Sequence, residues 1–346
     1  MEPSLALLIA CCRSGFDDPV AAPGPGAALA SADGDRLTTL ARRHRVEGLV
    51  WRAMRRQSML VPGTQPLGHD ARAIALEGLQ MAAETGRIHR AFAQAGLPHL
   101  FLKGQALGQL AWGDPSLKRQ IDIDLLVTPD GIGKSAALLG ALGYVQQIPE
   151  PSVDPVDWHR RRKESLWRSD DGLLVDLHSR VADNPALLPL VTALVPVDQV
   201  EIAGGITVPT LRRALLLPYL AVHGGSSAWF RLKWLADFAA VVHRTDAATI
   251  DRLAERAEGL GAGRALAAAL VLSHRLFATH VPEGLWFDRG ARTIVDLSLG
   301  ALSDPIEPTM RRFGTIPIHR AQLLLAPGPG YLVNEALRQI GALLIR

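Results

Sequence analysis

LFLKGQALGQLAWGDPSLKRQIDIDLLV, residues Leu100 to Val127, is the stretch that decides the fold. It reads as strand, glycine turn, short helix, loop and second strand. Side chains alternate across a strand, so Asp122 and Asp124 project from one face while Ile121, Ile123, Leu125 and Val127 fill the other. Two like charges on a rigid, buried mount repel each other, and a bound divalent cation is the usual remedy. The pattern therefore predicts a metal-dependent site for phosphoryl or nucleotidyl transfer.

Working outward, His99 to Lys103 is the first strand, Gly104 the turn and Gln105 to Trp112 the short helix. Asp130 to Leu142 is helical, Gly143 to Ile148 a further strand, and Pro149 to Pro155 a surface loop. Lys163 to Arg168 and Leu173 to His178 form a hairpin closed by Asp170, Asp171 and Gly172. Its second strand, VDLH, carries Asp176 between Val175 and Leu177. A second hairpin places Gly204 and Gly205 between Gln199 to Ile202 and Ile206 to Pro209.

Asp176 supplies a third carboxylate from a strand next to the first pair. Three acids so delivered suit two Mg²⁺ ions that activate an attacking oxygen and steady a triphosphate. Gly104, at a strand-to-helix junction, lets phosphate oxygens approach backbone N–H groups at a helix start. Lys103, Lys118 and Arg119 are placed to neutralise phosphate charge; equally, Lys118 and Arg119 could only solvate a loop. His178 shares the Asp176 face and reads as a phosphate or acceptor contact or as a structural histidine.

On either side the period is helical. Residues 4 to 13, Asp35 to Gln57 and Asp70 to Ala95 are expected helices, with a loop over Asp18 to Ala30 and a break at Pro62 to Pro66. Arg42, Arg43, His44, Arg45, Arg52, Arg55 and Arg56 give the second helix a basic face, read as solvated. After Thr210 the chain is helical almost throughout, over Leu211 to His223, Trp229 to Arg244, Ala247 to Gly259, Gly263 to His280, Asp288 to Leu302 and Tyr331 to Arg346. The expected architecture is α+β: a small mixed-sheet core over 96–210 between helical regions at 1–95 and 211–346.

Hydrophobic residues make up 48% and charged residues 21% of the 346, the balance of a folded chain, and excludes disorder as its theme. A net charge of +3 is too small to imply nucleic acid by itself. Nucleic acid as partner is not favoured, because the basic run His159 to Lys163 lacks interleaved aromatics. The only cysteines, Cys11 and Cys12, are neighbours, so no disulfide or zinc site is expected and a reduced, cytoplasmic setting follows. Leu5 to Cys12 lacks the basic flank and cleavage site of a secretion signal, and no apolar run is long enough to span a membrane. GIGKS at Gly131 to Ser135 follows a strand, yet a phosphate loop needs glycine where Thr128 stands.

Leu102-Lys103-Gly104, DIDLLV, VDLH and HGGSSAWFRLKWLADFAAVV from His223 to Val242 together resemble the bacterial nucleotidyltransferase-like family of the polymerase β superfamily, over roughly residues 70 to 245. The resemblance implies Asp122, Asp124 and Asp176 as metal ligands, with Asp176 as ligand or base, and Lys103 and Gly104 at the triphosphate. It implies a nucleoside triphosphate as co-substrate with Mg²⁺, and a small-molecule or peptide acceptor. The pattern departs at Gln105, where the superfamily turn carries serine or glycine. His223, Trp229, Arg231, Trp234 and Asp237 match the family's later motif and read as packing, with Arg231 a further site candidate. Some relatives sit among genes for modified peptide natural products. That leaves three alternatives open: transfer from a nucleotide-sugar or other phosphate donor onto a lasso-type peptide, a toxin-like enzyme acting on tRNA, and a non-catalytic nucleotide-binding module.

Overall fold

The computed structural model describes residues 2–16, 32–58 and 61–344. The loop expected over Asp18 to Ala30 lies outside them, as do positions 345 and 346 of the last expected helix. The fold is α+β, and the chain divides into two compact units, Ala75–Leu216 and a second made of Met1–Ile74 with Leu217–Arg346.

The first unit holds a seven-stranded mixed sheet. Its strands are β1 (His99–Phe101), β2 (Asp122–Val127), β3 (Tyr144–Ile148), β4 (Glu164–Ser169), β5 (Leu174–His178), β6 (Val197–Ile202) and β7 (Ile206–Leu211). They lie in the order β3-β4-β5-β2-β1-β7-β6. β2 runs parallel to β5 and antiparallel to β1, while β1 runs parallel to β7. The Thr210 hydroxyl donates to the Phe101 carbonyl at 2.6 Å, which fixes the second hairpin beside the short central β1.

Alternation sets what each face does. Ile123, Leu125 and Val127 turn to an apolar face with Val175 and Leu177, covered by Ile88 and Phe92 of α4 (Gln65–Gln94) and by Ile132 and Leu139 of α6 (Ile132–Ala141). Each such fully buried aliphatic side chain is worth about 2 kcal/mol of transfer free energy. Ile121 departs from expectation: it precedes the strand and is 46% exposed. The Pro149 to Pro155 loop also ends differently, since Pro155 opens the short helix α7 (Pro155–His159), capped by Asp154 accepting from the Val156 and Asp157 amides.

The second unit is helical. The helix expected over Asp35 to Gln57 is two, α2 (Gly34–His44) and α3 (Glu47–Arg56), because Arg45 turns left-handed at φ 56°. The Val46 amide donates to the Ala41 carbonyl, the closing bond of a Schellman-type end made here without glycine. The face read as basic and solvated is partly internal: Arg43 donates to the Phe230 carbonyl at 2.9 Å, and His44 is fully buried. α1 (Pro3–Arg13) carries Cys11 and Cys12 as free, buried thiols, and burial pushes the Cys11 thiol up to about 12. Helices α8 (Arg213–Ser226), α9 (Leu232–His243), α10 (Ala247–Arg256), α11 (Gly263–Phe277) and α12 (Arg289–Ser303) follow, α8 beginning at the boundary of this unit. α13 (Ile316–Leu324), which the sequence pattern did not mark, and α14 (Pro329–Leu344) end the described chain. None of the described helices is long and apolar enough to cross a membrane.

Candidate active site

The polar face of the sheet gathers the acids. In the β2–β5 register Asp124 stands opposite Asp176, Asp122 opposite Leu174, and Leu126 opposite His178. Antiparallel pairing of β4 with β5 then sets Glu164 opposite His178. Asp124, Asp176 and His178 each offer a ligand atom within 4.8 Å of the others. Asp122, two residues earlier on the same face, is outside that group, although its charge acts on Asp176.

Lys103 begins α5 (Gly104–Trp112) as its N-cap residue and reaches across to Asp124, Nζ to Oδ1 at 2.8 Å. His178 Nε2 lies 3.2 Å from the same oxygen, and its Nδ1 is 3.4 Å from Glu164 Oε2. Glu164 in turn pairs with Lys163. Basic side chains and carboxylates thus alternate along the line Lys103, Asp124, His178, Glu164, Lys163. Burial works to raise the Asp124 carboxyl, yet the Lys103 ammonium and the His178 contact hold it well below the usual carboxylate range. Asp176 goes the other way. Burial first, then the negative charges of Asp124, Glu164 and Asp122, push it up to about 7, against the opposing effect of His178.

The turn before α5 shows what each expected binding residue does. Gly104 has φ +64°, a conformation that glycine adopts without strain, and a side chain there would come within 3.3 Å of Gln120 Oε1. Gln105 is 3% exposed and donates through Nε2 to the Gly78 carbonyl of α4 at 3.0 Å. The position where a serine was expected is therefore occupied by a side chain that braces the helix. Lys118 is buried at 6% exposure, which sets aside its reading as a loop-solvating residue. Arg119 lies 3.5 Å from Glu77 of α4.

Three other expectations resolve elsewhere. Ser135 of the GIGKS segment is buried inside α6, which begins with no side-chain cap. His159 of the basic run is buried as well, its ring nitrogens 2.9 Å from Ser179 Oγ and Ser165 Oγ. Arg231 forms a double hydrogen bond with Glu307 inside the helical unit.

Sequence reading missed Glu164 and Lys163 as members of the charge line. The signal was available: a hairpin centred on Asp170 to Gly172 forces Glu164 opposite His178.

The donor chemistry suits a hard divalent cation, because carboxylate oxygens from two neighbouring strands converge within reach of one ion and the repulsion on Asp176 is only partly offset by His178. A search of curated proteins returns no match for the chain. A protein-family model described as "Uncharacterised nucleotidyltransferase" matches residues 30–278. That span is well over half of the sequence and includes the whole acidic face, so the chain belongs to this nucleotidyltransferase family, enzymes that transfer phosphorus-containing groups.

Proposed function

We propose that this nucleotidyltransferase is a Mg²⁺-dependent member of the polymerase β superfamily that moves a nucleotidyl group from a nucleoside triphosphate to a hydroxyl or phosphate of a small-molecule or peptide acceptor. The observation that carries the reading is the Asp124–Asp176 pair, side by side on parallel strands and within one group of possible ligand atoms with His178. The catalytic segment in this reading is 96–210.

Asp122, Asp124 and Asp176 would hold the metal, and His178 orients Asp124 through its Nε2 contact. When bound, Mg²⁺ supplies charge neutralisation at the phosphates. Lys103 adds a fixed positive charge beside Asp124, and the Gly104 turn presents the first amides of α5 to phosphate oxygens. Lys118 and Arg119 complete the basic rim. A bond forms between the acceptor oxygen and the α-phosphorus, the bond from that phosphorus to the bridging oxygen breaks, and pyrophosphate leaves with the electron pair. Asp176 receives the acceptor proton, its carboxylate standing beside Asp124 on the same face. Positioning and fixed charge are the protein's contribution to the rate.

The test is incubation with each labelled nucleoside triphosphate and Mg²⁺ alongside separate pools of metabolites, peptides and tRNA, read by mass spectrometry. Nucleotidyl adducts on small acceptors that vanish with Asp124→Asn support the proposal. Adducts on tRNA alone would redirect it to a toxin-like enzyme. Nucleotide binding with no adduct and no pyrophosphate in any pool defeats it.

A further inference from the structure

Beyond the carboxyl ends of the parallel strands β2 and β5 lies a cavity of about 500 Å³. In sheets with parallel neighbours, ligands bind in the crevice outside the strand carboxyl ends, where the connections diverge. Here β2 leaves through Pro129 and β5 through Ser179 and Arg180, and all three residues line the cavity. Val156 of α7 and Leu188 and Val191 of the segment between β5 and β6 supply an apolar wall. A space of this size with apolar walls and few polar groups is of the small-molecule class, smaller than a folded partner needs.

The polar side is specific. Arg180 is half-buried, and its Nε has no hydrogen-bond partner among the described residues. One of its terminal nitrogens reaches the His159 carbonyl at 3.4 Å, and the Asp183 charge acts on it. His159 spends both ring nitrogens on Ser179 and Ser165, so it fixes the floor of the cavity while Arg180 keeps donor capacity. Leu188 is held at φ 55° with its side chain 2% exposed. A leucine in the left-handed region costs about 1 kcal/mol or more and persists where its surroundings hold it. The wall is therefore preformed.

We infer that this cavity binds a small molecule with an apolar body and one anionic group, the anion held by Arg180. It is distinct from the acidic site, since neither Lys103 nor any of Asp122, Asp124 and Asp176 lines it. Register puts Ser165 opposite Leu177, on the sheet face away from Asp176, and His159 joins Ser165 to Ser179 there.

Two fluorescent probes test the site on the full chain. Anilinonaphthalene sulfonate has an apolar body and one anionic group, and phenylnaphthylamine is its uncharged counterpart. Arg180→Gln is expected to weaken the sulfonate about tenfold while leaving the amine within about twofold, and Arg180→Lys to restore most of the difference. Val191→Trp fills the cavity and is expected to remove both probes, with thermal melting confirming that the variant is folded. Sulfonate binding that ignores both Arg180→Gln and Val191→Trp overturns the inference, and equal weakening of both probes by Arg180→Gln overturns the anion assignment. Asp124→Asn is expected to leave the binding of both probes unchanged, and sulfonate binding lost with that substitution would make the cavity part of the acidic site and overturn its assignment as a separate one.

Discussion

Asp124 and Asp176 face each other across adjacent parallel strands, and their carboxyls are driven in opposite directions by what surrounds them. Asp124 is compensated by Lys103 and His178, whereas Asp176 receives the repulsion of three acids in addition to its own burial. One is a fixed anion and the other is poised to exchange a proton or to accept a cation. That asymmetry sets the two carboxyls apart and yields separate expectations for each residue.

Removing either acid should cost cation binding and turnover together. Asp124→Asn and Asp176→Asn are each expected to weaken Mn²⁺ binding, followed by paramagnetic resonance, by about 10- to 100-fold. Turnover should fall by about 100-fold or more. Unchanged Mn²⁺ affinity in both variants would show that the pair is no metal site.

Lys103→Met should act first on stability. Its ammonium lies 2.8 Å from a carboxylate whose side chain is 3% exposed, and breaking a buried pair from one side leaves an uncompensated charge. The expected loss is about 3 kcal/mol in metal-free urea unfolding, with recovery in the double variant Lys103→Met, Asp124→Leu, where no lone charge remains. A double variant no more stable than the single one would mean that the pair is not what holds this corner together.

The Asp176 shift gives a pH dependence of definite sign. An aspartate in the unfolded chain releases its proton near about pH 3.9, whereas the folded, metal-free protein keeps it to about pH 7. Between these values the folded state binds more protons, so this residue's contribution to stability is full below the lower value and is lost as pH rises through the upper one. The size is up to about 4 kcal/mol, and Asp176→Asn should flatten that part of the profile. A divalent cation should stabilise the protein more at pH 8 than at pH 5. Identical stability profiles for the wild type and Asp176→Asn would remove the electrostatic account of the site.

How much of this was legible depended on whether local sequence or long-range register fixed the feature. The β4–β5 hairpin could be read because Asp171 and Gly172 make the turn, and a hairpin's turn sets its pairing. The acids on β2 could be read because alternation with Ile123 and Leu125 is a local pattern. The parallel neighbourhood of β1 and β7 could not, because it joins Phe101 to Thr210 across more than a hundred residues without any sequence signal. Nor could the break at Arg45, since a helix end closed by a left-handed arginine lacks the glycine that announces one. His159 misled for a similar reason: it stands in a run of exposed cations, and only the positions of Ser165 and Ser179 show that it is internal.

Gln105 allows the sharpest separation of structure from chemistry. The turn departs from the serine or glycine expected of the superfamily, and a serine placed there would be the obvious way to add a phosphate contact. The geometry argues otherwise, because the Gln105 amide is buried and bonded to the Gly78 carbonyl, away from solvent. Gln105→Ser removes that bond, leaving the Gly78 carbonyl to its bond within the helix, and opens a small void. The expected cost is about 1 kcal/mol of stability in chemical denaturation. The KM for the nucleoside triphosphate should not fall, since nothing in the bonding of residue 105 points to the cradle. A variant of undiminished stability with a several-fold lower KM would place residue 105 in the phosphate site and reassign the turn.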